Sequence, residues 1–245
     1  MKLLRGLYTF YGLIIFSLLF VVFFFLLLIP IFFPKKFRLV GKFNRWWARL
    51  MLILIGIPHK VVYESRLNRK RQYIFCPNHC SYMDIATVAL NRHDTVFVGK
   101  NDLKNIPVFG FMYSRLHITV DRAKLKSRYI TLVKSLKAID QGKSLVIFPE
   151  GGIVTKYPPV MGEFKDGAFR AAIEKQIPIV PVTIPYNWII LPSDRFLLHW
   201  KPMKVIFHEP IDPSIYTLKE LHILKAKVKS VIENELYNHL GNNEN

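Results

Sequence analysis

Residues 72–84 read QYIFCPNHCSYMD, and this stretch carries both the start of a fold and a candidate chemistry. The apolar, β-leaning run Gln72–Cys76 leads into Pro77, Asn78 and His79, and Ser81–Leu90 has the apolar spacing of a helix. An imidazole therefore stands on the connection between a buried strand and a helix, with the carboxylate of Asp84 one turn further on. A histidine so placed can take a proton near neutral pH when a second group holds its other nitrogen as a donor. Asp84 is spaced to be that group. A competing reading fits the same spacing. Ser81 and Asp84 also form a Ser-x-x-Asp capping pattern, in which Asp84 only satisfies free backbone donors of the helix.

The surrounding chain narrows the class. Its 245 residues hold 35 Lys and Arg against 17 Asp and Glu, a formal net charge of +18, which points to an anionic partner. Hydrophobic residues make up 51%, which favours a lipid surface over nucleic acid. The bases crowd beside an apolar segment instead of spreading over a soluble face, so no nucleic-acid partner is expected. The only cysteines, Cys76 and Cys80, flank the His79 region. They support neither a zinc site nor a disulfide framework, and no metal is expected.

From Leu7 to Phe33 there is no charged residue. Such a run can cross a hydrocarbon core of about 30 Å as a helix, and it is too long for the apolar part of a cleavable signal, about 7–15 residues. It reads as a retained anchor. Between Lys35 and Arg71 stand eleven bases and one acid, Glu64, an excess that marks the cytoplasmic side of a first span. These bases should also draw the protein onto anionic headgroups, at about 1 kcal/mol per nearby cation. Trp46 and Trp47 lie among them, and Phe43–Ile57 reads as a second helix ending at Gly56 and Pro58. That helix is too short to span comfortably; it lies in the interface or pairs with the first. Residues 1–60 thus form the expected anchor and 61–245 a second unit.

In that second unit strands alternate with helices. Gln72–Cys76, Thr95–Val98, Ser144–Phe148, Ile177–Ile184 and Lys204–Phe207 are the candidate strands, with a short apolar run at His117–Val120. Leu125–Gln141 is a helix with the stripe Leu125, Tyr129, Leu132, Val133, Leu136 and Ile139, stopped by Gly142. Gly167–Lys175 is another. Thr217–Leu240 closes the chain with Leu218, Leu221, Leu224, Val228, Val231 and Leu236 on one side. The alternation predicts an α/β fold, a mostly parallel sheet flanked by helices.

Three further stretches fall where such a fold places function, at the carboxyl ends of strands. They are GKNDLKNIPVFGFMYSRLHITVDR (Gly99–Arg122), FPEGG (Phe148–Gly152) and FKDGAF (Phe164–Phe169). With Asn78, His79, Ser81 and Asp84 they resemble the glycerolipid acyltransferase family, most closely the 1-acylglycerol-3-phosphate (lysophosphatidate) acyltransferases. The family's Asn-His-x-Ser-x-x-x-Asp block is matched at those four positions. Its Lys-x-x-Leu…Pro…Gly…Asp-Arg block is similar to Lys100, Leu103, Pro107, Gly110, Asp121 and Arg122. Its Phe-Pro-Glu-Gly block meets Phe148–Gly151, its Val-Pro-Val strand Val180–Val182, and its Phe-Lys-x-Gly stretch Phe164, Lys165 and Gly167.

One position departs. Where the family has Thr-Arg after Glu-Gly, this chain has Gly152-Ile153. The resemblance assigns that arginine to the acceptor's phosphate. Lys100, Arg122, Lys156 or Lys165 could supply the cation instead, and Gly151 and Gly152 could offer backbone donors. The alternative is an acceptor that is another lipid or amino-lipid hydroxyl.

The resemblance implies a mechanism. His79, oriented by Asp84, deprotonates the hydroxyl of a lysophospholipid, which attacks the thioester of an acyl-CoA or acyl-carrier protein. Backbone N–H groups near the start of the Ser81 helix are the expected oxyanion donors. The implied partners are membrane lipids, the lysophospholipid and the acyl donor, with no cofactor beyond that co-substrate. Cys80 as an acylated nucleophile is the rival chemistry. Glu150 is expected to brace the acceptor site or its loop, against a purely structural carboxylate at a strand end. His93, His117, His199 and His208 stand in no catalytic pattern. A catalytically silent lipid-binding protein is the remaining alternative.

Overall fold

The computed structural model describes residues 2–100, 104–121, 125–155 and 157–241. Seven strands form one sheet: β1 (His59–Tyr63), β2 (Ile74–Pro77), β3 (Thr95–Lys100), β4 (Ile118–Val120), β5 (Ser144–Ile147), β6 (Ile179–Thr183) and β7 (Met203–Phe207). Their spatial order is β1-β7-β6-β2-β5-β3-β4. The run from β6 to β4 is parallel, β7 lies antiparallel to β6, and β1 parallel to β7. The expected α/β architecture with a mostly parallel sheet is the one observed.

The central strands are buried on both faces, so they read as apolar runs and not as alternations. Every residue of β2 and β6 is buried. Side chains sort by parity into two cores. Phe75, Phe97, Val146, Val180 and Val182 face one layer with α2 (Arg38–Leu54) and α3 (Met83–Ala89). Ile74, Cys76, Val96, Val98, Leu145 and Ile179 face the other, with α5 (Leu125–Asp140), α6 (Gly167–Lys175) and α8 (Leu221–Gly241). Three elements were not expected from the sequence: β1, α4 (Phe109–Leu116) and the single turn α7 (Asn187–Ile190).

Two apolar stripes sit differently from their expected places. On α5, Tyr129 and Val133 are exposed, and Thr131, Ser135 and Ala138 turn inward beside Ile139. The small hydroxyl residues satisfy themselves one turn back, Thr131 donating to the Ser127 carbonyl at 2.8 Å and Ser135 to that of Thr131 at 2.9 Å. They can therefore be buried without an orphaned group. On α8, Ile232 takes the inward place expected of Val231, and Leu218 is exposed. The inward row Leu224, Val228, Ile232, Leu236 keeps a strict four-residue step.

The first helix, α1 (Lys2–Phe32), is the one described helix long and apolar enough to cross a membrane. It does not project from the domain. The Tyr8 and Tyr11 hydroxyls donate to the carbonyls of Ile55 and Leu54 at 2.7 and 2.9 Å, satisfying groups that the end of α2 leaves open. Gly56 then turns the chain away at φ +73°. Further along, Phe16 meets Trp47 edge-on at 5.5 Å, and Phe20 lies 6.0 Å from Phe109 of α4. Phe23 and Leu27 are buried with Val40, Phe43, Met112 and Leu116. Leu3, Leu7, Phe10, Leu18, Val22 and Phe25 face outward. The α1–α2 pair is thus continuous with the α/β unit: α2 supplies Ala48, Met51 and Leu52 to the core, and the expected boundary at residue 60 falls inside β1.

Candidate active site

Parallel pairing of β2 with β5, Ile74 opposite Leu145 and Phe75 opposite Val146, puts their carboxyl ends side by side. One delivers Asn78 and His79, the other Phe148, Pro149 and Glu150. His79 Nδ1 lies 3.0 Å from Asp84 Oδ2. The same oxygen accepts the backbone N–H groups of Cys80 and Ser81, each at 2.8 Å. The two readings of the spacing are therefore not alternatives: one carboxylate caps the entry to α3 and pairs with the imidazole.

The rest of the imidazole is held from below. Its ring stacks on Phe148, centroids 4.1 Å apart and 28° from parallel. Its backbone N–H donates to Glu150 Oε1 at 2.7 Å. Nε2 has no protein partner among the described residues, and 12% of the side chain stays exposed. The ring is fixed through one nitrogen and open at the other.

Glu150 is a buried tie. Its second oxygen accepts the Gly162 N–H at 2.8 Å, so the carboxylate joins the His79 turn to the loop that follows it in sequence. Burial raises its pKa, an effect opposed by the two backbone donors of Gly162 and His79. The next residue, Gly151, adopts φ +83°, and the methylene chain of Lys165 lies 3.7 Å from where a Cβ would stand. The Lys165 N–H donates to the Pro149 carbonyl at 2.8 Å, and the side chain is exposed beside the turn. The N–H groups of Gly152 and Ile153 have no protein partner among the described residues.

Other expected site residues serve the scaffold. Asn78 is fully buried, its amide clamped to the backbone of Ile184 through bonds of 3.1 and 2.8 Å. Ser81 donates to the Leu191 carbonyl at 2.7 Å and accepts the Met83 N–H at 3.1 Å. Both were expected to touch substrate; both hold the loop instead. Most of the N–H groups at the start of α3 are likewise engaged, and that of Tyr82 has no protein partner among the described residues. The N–H groups of Cys80, Ser81 and Met83 bond to Asp84 and Ser81 side chains, and that of Asp84 to the Ser81 carbonyl. Cys80 is buried, and desolvation, reinforced by Asp84 and Glu150, pushes its thiol pKa far up. It is a poor nucleophile. Lys100 ends β3, its side chain outside the described part; Arg122 and Lys156 lie outside the described residues.

One site residue escaped the sequence reading. Asn187, on the turn after β6, donates from Nδ2 to Asp84 Oδ1 at 2.9 Å and to Thr87 Oγ1 at 2.7 Å. The available signal was a lone amide within the apolar run Ile184–Leu191, just past a strand's carboxyl end.

A histidine–carboxylate pair over a buried glutamate tie, with one imidazole nitrogen open, is an arrangement able to act as a general base on an α/β frame. Residues 59–185 match the family model described as Acyltransferase. The chain is 30% identical over 203 residues to a 1-acyl-sn-glycerol-3-phosphate acyltransferase of Haemophilus influenzae, covering 80% of this chain and 81% of that one. It is 34% identical over 188 residues to the enzyme of that name from Saccharomyces cerevisiae, covering 76% and 62% respectively. It spans 40% of the length of a chloroplastic relative of that name from Brassica napus. The fold also superposes on the crystal structure of the LPA acyltransferase PlsC from Thermotoga maritima, with a TM-score of 0.80 over 97% of this chain and 96% of that one, at 23% identity. The chain belongs to this acyltransferase family. Within it, the curated relatives it resembles bear the name 1-acyl-sn-glycerol-3-phosphate acyltransferase.

Proposed function

We propose that the protein transfers a fatty acyl group from an acyl thioester to the hydroxyl of 1-acylglycerol-3-phosphate, giving phosphatidate, with His79 as general base and Asp84 as its orienting partner. The observation that carries this reading is the 3.0 Å His79–Asp84 contact with Nε2 left open. Nε2 takes the hydroxyl proton as the oxygen attacks the thioester carbonyl. The tetrahedral intermediate is held by the unengaged N–H groups of Gly152 and Ile153, on the turn that follows Glu150. Collapse breaks the carbon–sulfur bond, and the imidazolium returns its proton to the departing thiolate. Attack is direct, since the Cys80 thiol is buried.

Lys165 supports a phosphate-bearing acceptor. It stands exposed beside Gly151, with no ion-pair partner among the described residues, and takes the part of the family's missing arginine with a point charge instead of a planar fork. The same chemistry suits acyl-CoA or an acidic carrier protein as donor. The long packing of α1 along the domain favours a membrane surface over a free-standing span. Its apolar outer face would lie in the lipid and the bases after Phe33 at the headgroups of the cytoplasmic leaflet.

The test is acyl transfer by the detergent-solubilised protein from labelled long-chain acyl-CoA and acyl-carrier protein, with lysophosphatidate or a mixed lipid extract as acceptor, each beside His79→Ala. Transfer to lysophosphatidate that vanishes in the variant supports the reading. Transfer only to a component of the extract moves the acceptor and keeps the mechanism. Silence from a folded protein with every pair overturns it in favour of a non-catalytic lipid-binding role.

A further inference from the structure

We propose that Asn187 is a positioning residue that locks the plane of the Asp84 carboxylate and thereby aims His79. This inference rests on the proposed role of His79 as base. The donors on Asp84 are unevenly shared. Oδ2 accepts three, from His79 Nδ1 and the backbone of Cys80 and Ser81. Oδ1 accepts one, from Asn187 Nδ2. Turning the carboxylate about Cβ–Cγ would carry both oxygens off their donors, and the bond on Oδ1 is the one restraint on that turn that comes from outside the His79–Asp84 segment.

The orientation of the Asn187 amide follows from its neighbours. Thr87 Oγ1 donates its proton to the Met83 carbonyl at 3.0 Å, so toward Asn187 it can only accept. Asp84 Oδ1 also accepts. Both amide protons are thus spent on acceptors, and a flipped amide would set oxygen against oxygen. The arrangement has a cost. Asn187 Oδ1 is buried with no hydrogen-bond partner among the described residues. Burying an unmade acceptor is unfavourable, and an apolar side chain of the same shape would avoid it. A residue chosen only to fill this space would not be an amide. What the amide adds is one N–H aimed at Asp84, with the other anchored on Thr87 so that the first cannot turn away. The turn bearing Asn187 follows β6, whose neighbour β2 bears His79, so sheet register fixes the distance across the site.

The test uses the full-length protein in detergent and two readouts. The first needs no turnover: the downfield proton resonance of the His79 Nδ1–H bonded to Asp84, assigned by its absence in His79→Ala. It should be sharp in the parent and broadened or lost in Asn187→Leu. The second is kinetic. Asn187→Leu should lower kcat about 10- to 100-fold, the scale for outer partners that orient a histidine, with both KM values within about twofold. In an Asp84→Asn background the same change should cost almost nothing further, because a residue acting through Asp84 has nothing left to act on. An unchanged bridging proton overturns the proposal. So does an equal loss in both backgrounds, or a loss in KM alone. If Asn187→Leu fails to fold, Asn187→Ser gives the smaller form of each effect and is judged alike. A parent without transferase activity whose bridging proton still responds to Asn187 would sink the acyl-transfer reading and leave the positioning role standing.

Discussion

Among the described residues three histidines pair with a carboxylate, His79, His208 and His239, and the first two, of nearly equal length, differ in what they leave open. His79 lies 3.0 Å from Asp84, and His208 lies 2.8 Å from Glu64. The His208 pair closes on itself: Nε2 meets Thr183 Oγ1 at 2.7 Å, and the residue is 4% exposed. With both nitrogens occupied, that imidazole ties β1, β7 and β6 together and has no valence left for a substrate. The His79 pair sits at the carboxyl ends of parallel strands, stacked on Phe148, with one nitrogen unclaimed. A carboxylate partner alone thus does not mark a candidate base. What the His79 pair adds is an open second nitrogen.

The largest expected contrast is kinetic. His79→Ala should reduce acyl transfer by about 10²- to 10⁴-fold, the usual worth of a positioned general base, while its melting temperature stays within a few degrees of the parent. His208→Ala should do the reverse, leaving kcat within a few-fold and lowering stability. Equal losses of activity from the two would break the comparison. A finer cut is Thr183→Val, which keeps the volume and removes the hydroxyl. It strands the buried His208 Nε2, and stability should fall by about 1–3 kcal/mol in denaturant unfolding, with turnover intact. Ser81→Ala removes the bonds to Leu191 and Met83 near the other histidine. It should cost about 1 kcal/mol as a lost loop tie, with KM unchanged if Ser81 does not touch substrate.

The sequence made the sheet legible because buried parallel strands are short, apolar and β-branched, and because the residues after them are unlike their surroundings. His79, Asp84 and Glu150 stood out for that reason. The elements missed lacked such contrast. β1, His-Lys-Val-Val-Tyr, is short and alternates weakly, and α7 is a single turn. Tyr129 and Val133 misled because hydrophobicity alone cannot tell that Thr131 and Ser135 bury their hydroxyls on their own helix. Asn78 and Ser81 were legible as important but not for what: their partners, Ile184 and Leu191, are more than a hundred residues away. The same distance hid Asn187. Only the pairing of β2 with β6 brings those backbones together.

The smallest expected effect concerns the glutamate tie, which separates the open pair from the closed one. Burial raises the folded-state pKa of Glu150 above its usual value of 4.5. A carboxyl raised on folding binds more protons in the native than in the unfolded state across that interval. Its contribution to stability is therefore full below about pH 4.5 and declines as pH climbs through the folded value. Glu150→Gln removes that titration while keeping the shape, although one of the His79 and Gly162 N–H groups must then face an amide donor. Melting temperatures of parent and variant, measured on either side of that interval, should draw together as pH rises. His208→Ala should follow the parent's pH trend there, because it leaves Glu150 in place. A parent–variant gap that is constant or widens with pH would mean that the two backbone donors outweigh desolvation, and that Glu150 braces His79 as a fully solvated-strength carboxylate despite its burial.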